Sequence, residues 1–142
     1  MSKFHFNRML YNLNRSKNIT AKKLIIASKN YFVKNFKTEV SPTGDVWEEL
    51  SEKYQSWKDS EYGDKQILVA NGDLFNALKN SVITGSTSWK NCRLVVVNPY
   101  GEYHNEGIGK NKKRTFVEHS SELEKIQMNI LDQWIIERLQ IK

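Results

Sequence analysis

Three histidines, one cysteine and a Gly- and Lys-containing stretch are the residues of this chain whose types could support chemistry. Nucleophilic catalysis needs an activated Ser, Cys or Thr beside a base, and His5, His104 and His119 have no recognisable nucleophile signature around them. Metal binding through His104, Glu102, Glu106 and His119 fails on spacing, which is too loose for any established ligand pattern. Gly107 and Gly109 precede Lys110, but a phosphate cradle needs a defined glycine spacing and a strand in front, and neither is found. Cys92 is the only cysteine, so it can form no internal disulfide and no cysteine-based metal cluster within one chain. Its neighbours Leu94-Val95-Val96-Val97 favour a small buried thiol over a nucleophile. Tyr100, Tyr103 and His104 beside Lys110-Asn111-Lys112-Lys113-Arg114 could stack bases and bind phosphates of a single strand, although a loop making protein contacts explains the same residues. No catalytic residue, cofactor or metal is therefore expected, and the chain reads as a non-enzyme.

The elements that must position these residues belong to a chain of 142 residues, enough for one hydrophobic core, so one domain over 1–142 is expected. Its apolar fraction of 39% is low, but 11% aromatic residues, four of them Trp, supply much buried area per side chain. The formal charge of +6 is unevenly spread: residues 1–40 carry nine Lys or Arg against Glu39 alone, a local net of +8. Such a segment suits contact with nucleic acid or an acidic partner, or is simply a solvated helix face. The longest apolar run, Leu24-Ile25-Ile26-Ala27, is flanked by Lys22, Lys23 and Lys29, so no membrane span is expected. The residues after Met1 lack the apolar stretch and cleavage site of a signal peptide, which predicts a cytosolic site of synthesis.

Residues 19–37 predict a basic amphipathic helix that starts at Thr20 as N-cap and puts Leu24, Ile25, Tyr31, Phe32 and Phe36 on one side. Residues 1–18 hold a shorter helix from about Lys3 to Leu13, with Asn14–Asn18 as a joint, or equally an arm that orders only on assembly. A turn at Ser41-Pro42-Thr43-Gly44 leads into a body over 45–135. There, Asp45 would cap a short helix over Val46–Tyr54, residues 55–66 read as a polar loop, and Asp73–Ser81 as another helix. Val82–Ser86 and Cys92–Val97 predict a hairpin turning through Ser86–Asn91, with Arg114–Glu118 as a further short strand. Tyr100–Arg114 reads as an exposed, mobile loop. A final helix begins at Ser120 or Ser121, carries Glu122 and Glu124 in its first turn, and builds a face from Leu123, Ile126, Ile130, Leu131, Trp134, Ile135 and Leu139.

Several of these landmarks fall in a telling order. Pro42-x-Gly44 is followed by Trp47 and Leu50, and Gly72-Asp73-Leu74 opens a helix ending at Ser81-Val82. The strand hairpin comes next, then Tyr100-Gly101-Glu102-Tyr103-His104-Asn105-Glu106-Gly107, and finally Arg114-Thr115-Phe116-Val117-Glu118-His119-Ser120 before an acidic-headed helix. Over about residues 31–135 the chain resembles the phage virion morphogenesis, or tail completion, family typified by the Mu-like and P2-like tail completion proteins. That family reads approximately Tyr-Ala-x-x-His-x-x-Gly and then Arg-Pro-Phe-Leu-Gly-x-Ser; here Gly101 stands for the Ala and Thr115 for the Pro.

The resemblance implies an α+β fold, a small antiparallel sheet flanked by helices, with the long C-terminal helix and the basic N-terminal helix outside it. It also implies a structural virion protein, a head-tail connector (neck) or tail completion subunit, that assembles in the host cytoplasm. The subunit would form a ring, often a hexamer, meeting other neck or tail subunits and packaged DNA, with no membrane contact. A ring suits a subunit with an open strand edge, because neighbours cover every edge through heterologous contacts. On this reading Tyr100, Tyr103, His104, Asn105, Gly107, Arg114 and Phe116 fix the loop base and the subunit contact, with Phe116 as buried anchor. Lys110, Lys112 and Lys113 would face a DNA channel or an acidic neighbour. The competing reading is a small basic nucleic-acid-binding protein.

Overall fold

A computed structural model describes residues 3–84, 89–90 and 93–139. The described residues form five helices, α1 (Lys3–Lys37), α2 (Glu52–Tyr62), α3 (Asp73–Lys79), α4 (Gly101–Glu106) and α5 (Ser121–Leu139), and two strands, β1 (Val82–Thr84) and β2 (Arg93–Val95). Cys92 and most of the Ser86–Asn91 turn lie outside the described residues. No helix among those described is long and apolar enough to cross a membrane.

The fold is predominantly helical, which corrects the α+β expectation. Among the described residues, strand pairing consists of an antiparallel ribbon of three residue pairs, Val82 with Val95, Ile83 with Leu94 and Thr84 with Arg93, and one isolated antiparallel bridge between Val40 and Val46. Two three-residue strands form no sheet layer that helices could flank. Residues 114–118, whose alternation reads as a strand, spend their backbone groups elsewhere. The amides of Phe116 and Val117 donate to Asn105 Oδ1 at 2.9 and 3.0 Å, and the Thr115 carbonyl accepts from Trp47 Nε1 at 2.9 Å. Side chains have replaced the ladder, so no third strand can form.

Helix α1 runs unbroken for 35 residues, about 50 Å at 1.5 Å per residue. Thr20 is therefore not a cap: its hydroxyl donates back to the Ser16 carbonyl within the helix. The buried positions Ser16, Thr20, Ala21 and Ser28 are small, which lets α5 lie close against α1. The two helices are antiparallel, because partners move down one as they move up the other. Trp134 Nε1 donates to Ser16 Oγ at 2.8 Å, Gln127 Nε2 to Ser28 Oγ at 3.1 Å, and the Tyr31 and Ser120 hydroxyls meet at 3.3 Å. Ser120 also caps α5, its Oγ accepting from the Leu123 amide at 3.2 Å.

At the C-terminal end of α1 the core gathers around Phe36, which is fully buried. Trp47 meets the Phe36 ring edge-on at 5.3 Å and Phe116 does so at 5.7 Å, while Phe75 lies at 5.4 Å. Phe32, Leu74, Leu78 and Leu123 complete this cluster. Edge-to-face pairs of this kind add to the area term, about 0.5–1.5 kcal/mol each.

The chain reaches Trp47 through a tight reversal. Glu39 takes a left-handed φ of 58°, and its carboxylate accepts from the Ile67 amide at 2.6 Å. Its carbonyl then accepts from the Trp47 amide at 2.8 Å. Val46–Leu50 consequently stays outside any helix, and α2 begins only after Ser51, whose hydroxyl accepts from the Tyr54 amide. The helix expected over Val46–Tyr54 is thus displaced C-terminally, and the loop expected over 55–66 is helical as far as Tyr62.

Candidate assembly site

The segment Tyr100–Ser120 folds as one knot whose centre is Asn105. Besides accepting from Phe116 and Val117, this side chain donates through Nδ2 to the Val117 carbonyl at 3.2 Å and to Glu106 at 2.7 Å. The Asn105 carbonyl accepts from Thr115 Oγ1 at 3.2 Å, and the His104 carbonyl accepts from the Arg114 amide at 2.8 Å. An amide side chain with one acceptor oxygen and two donors can hold two strand-like residues in this way without a partner strand. The stretch expected as an exposed, mobile loop over 100–114 instead contains α4 and is bonded back to it.

Gly107 closes α4 at φ 70°, and a Cβ there would fall 2.8 Å from the Lys113 Cβ and 2.9 Å from its backbone nitrogen. Gly109, at φ 71°, has nothing within 4 Å of the same added atom. Gly109→Ala should cost only the left-handed strain, about 1–2 kcal/mol. Gly107→Ala should cost distinctly more, because backbone must also move; urea unfolding of the two variants side by side checks this ordering.

Arg114 ties the knot to the rest of the domain. It is only 6% exposed, and it donates through Nε to the Glu48 carbonyl at 2.9 Å and through Nη2 to the Glu49 carbonyl at 3.3 Å. These are two of the carbonyls that a helix over Val46–Tyr54 would have used internally. Above them, Lys112 donates to the Glu48 carboxylate at 2.6 Å on the surface. Trp47, Glu48 and Glu49 were thus the partners that sequence spacing could not reveal, since they lie more than sixty residues from Arg114 in the chain.

Between α2 and α4 lies an open cleft of about 780 Å³, lined among others by Glu48, Tyr54, Lys58, His104, Lys110, Lys112 and Arg114. Lys58, in a stretch read as a polar loop, is almost fully buried and gives its ammonium to the Lys65 carbonyl at 2.6 Å. Nothing in its sequence context marks it. Lys113 points away from this cleft toward a second hollow that also holds Asp45, Trp47 and Glu118. The three lysines grouped by sequence thus divide: Lys110 and Lys112 line the first cleft and Lys113 the second. Tyr100 and Tyr103 are exposed, 64% and 47%, on the outer side of the knot, whereas Phe116 is buried. No group of three or more His, Cys, Asp or Glu capable of holding a metal is found among the described residues.

His104 is half-buried, and its Nδ1 is buried without a hydrogen-bond partner. Burial first, and the Arg114 charge second, hold its imidazole below the ordinary value of 6.5. The folded protein therefore resists a proton that the unfolded chain accepts. This contribution to stability is complete above 6.5 and is lost as pH falls through 6.5 toward the lower folded value. The thermal midpoint should fall as pH is lowered from 7.5 to 5.5, and His104→Gln should flatten that decline. Glu48 acts in a separate, more acid window, because the hydrogen bond from Lys112 holds its carboxyl below 4.5.

The knot joins the segments 47–49, 100–107 and 114–120 into one surface, and no family model, curated protein or solved structure matches the chain in which it is built.

Proposed function

We propose that this chain is a non-enzymatic structural subunit of a tailed-phage particle, a head-tail connector or tail completion subunit that works in a ring at the junction of head and tail. The observation that carries the reading is the imbalance between core and surface. Among the described residues the buried apolar core is small, Phe32, Phe36, Trp47, Leu74, Leu78, Phe116 and Leu123, while the exposed large apolar residues include Phe6, Leu10, Tyr11 and Ile19 on α1 and Met128, Ile135 and Ile136 on α5. They extend along the helix pair beyond the aromatic core, and α5 buries only Leu123 fully. Exposed apolar side chains repeated along one helix pair are what a surface covered by partners would present.

The phage assignment draws its support from the ordered landmarks. Trp47, the Tyr100–Gly107 block and the Arg114–Ser120 block, which carry the resemblance, are also the parts that bond to one another through Asn105, Arg114 and the Trp47 indole. The α+β part of the resemblance plays no role in this proposal. If the reading is right, the protein is a fixed-stoichiometry component of purified particles, present at the neck or the adjoining tail end when labelled for electron microscopy. Particles that lack it altogether would overturn the proposal.

One observation favours a second reading, a small basic nucleic-acid-binding protein. None of the α1 lysines or arginines forms an ion pair among the described residues, and Arg8, Arg15, Lys22, Lys23, Lys34 and Lys37 are exposed. That reading predicts tight binding of duplex DNA by the isolated protein, with an affinity that falls steeply with salt. The connector reading predicts only weak binding to free DNA.

A further inference from the structure

The cleft between α2 and α4 holds two buried cations without a directly paired carboxylate; the Glu48 carboxylate acts on Arg114 only through space. Lys58 is 1% exposed and its ammonium has one partner, the Lys65 carbonyl. Arg114 is 6% exposed and its guanidinium is bonded to two backbone carbonyls. Neither lies within ion-pair distance of an acid among the described residues, since the ion pairs there are Lys112 with Glu48, His119 with Glu124 and Lys125 with Glu122. Carbonyl oxygens satisfy hydrogen-bond geometry but leave formal charge in place. Buried Lys and Arg are ordinarily paired with acids.

Further donors remain for an incoming group. An ammonium carries three hydrogens and a guanidinium five, so each has hydrogens beyond those already engaged. The His104 ring lines the same cleft, so it reports on what enters there. We propose that this cleft is a receptor for a carboxylate, presented by an acidic side chain on a peptide segment of a partner subunit. The inference rests on the reading of the chain as an assembly subunit.

Charge placement favours a single carboxylate over a polyanion. Glu48 and Glu49 line the cleft beside Lys110 and Lys112, and Glu52 and Glu61 are exposed on α2, so charge at the mouth is mixed and a phosphate backbone laid across it meets like charge as well as opposite charge. One side chain reaching inward meets Lys58 and Arg114. Along α2, Tyr54, Trp57 and Tyr62 form an exposed aromatic row with ring separations of 5.4 and 5.9 Å. Tyr54 also lines the cleft, so the same segment can lay apolar residues on the row.

Titrating the full-length, isotope-labelled protein with acetate while recording the Arg114 Nε and His104 ring resonances tests the receptor directly. Acetate should shift both saturably, while chloride at equal ionic strength should not. An acetylated Leu-Glu-Leu-Glu-Leu amide should bind at least about tenfold more tightly than acetate, and its Gln counterpart should lose at least about tenfold. Lys58→Met, checked for folding by its amide spectrum, should abolish the saturable response. Should that variant not fold, Lys110→Gln combined with Lys112→Gln, both exposed, should weaken the Glu peptide severalfold. Equal responses to acetate and chloride, equal affinities for the two peptides, unchanged binding by the lysine variants, or tighter binding of a short oligothymidylate would each overturn the inference. If the protein is nevertheless found in particles, only the receptor falls and the proposed function stands.

Discussion

Replacing Phe116 with alanine is expected to cost about 3–5 kcal/mol, which is a large share of the 5–15 kcal/mol that holds a domain of this size together. Phe116 is 3% exposed and stands edge-on to Phe36, the fully buried ring on which Trp47 and Phe75 also pack. Its removal opens a cavity under α1 and α3 that rigid helices cannot close. Gly101 borders the same ring, its added Cβ falling 3.5 Å from the Phe116 Cζ, so the start of α4 loses support as well. Phe116→Leu should cost much less, since it keeps most of the volume. Chemical denaturation followed by tryptophan fluorescence would rank the pair, and near-equal stabilities would refute the central place given to this ring.

Asn105→Ala is expected to be the most damaging polar substitution, at about 2–4 kcal/mol, because it leaves the amides of Phe116 and Val117 without an acceptor. A buried donor that loses its partner costs more than the net worth of the bond. Asn105→Asp keeps an acceptor for both amides but loses the donor to the Val117 carbonyl and places a charge beside Glu106. It should fall between the wild type and Asn105→Ala. Amide exchange offers the sharper readout: Phe116 and Val117 should lose protection in Asn105→Ala before α5 does. Uniform loss of protection across the chain would mean that Asn105 is no local clamp.

The sequence signals that proved legible are those set by near neighbours. Gly72-Asp73 starts α3 where the pattern indicates, and Ser120 with two acids in the next turn starts α5. Phe32 and Phe36 face the core as their spacing requires. What was hidden depends on contacts between distant residues. Val46, Trp47, Leu50 and Tyr54 recur at helical spacing, yet Arg114 takes the Glu48 and Glu49 carbonyls and Glu39 takes the Trp47 amide. Residues 114–118 alternate like a strand, yet one asparagine side chain stands where a partner strand would. The apparent joint at Asn14–Asn18 is continuous helix, because α5 supports it through Trp134 and Ser16. Within the candidate site, Arg114 and Phe116 carry marked positions in the landmark pattern, whereas Lys58 carries none and is recognised only by its burial.

The knot is held by its own hydrogen bonds, while α1, α2 and α5 keep large apolar side chains exposed, and the proposed role in assembly rests on that surface. Electron microscopy of particles produced after disruption of the gene tests that claim most directly. The account predicts full heads and tails that fail to join, or tails lacking their head-proximal end, with joining restored when the wild-type chain is supplied in trans. Normal numbers of joined particles in its absence would contradict it.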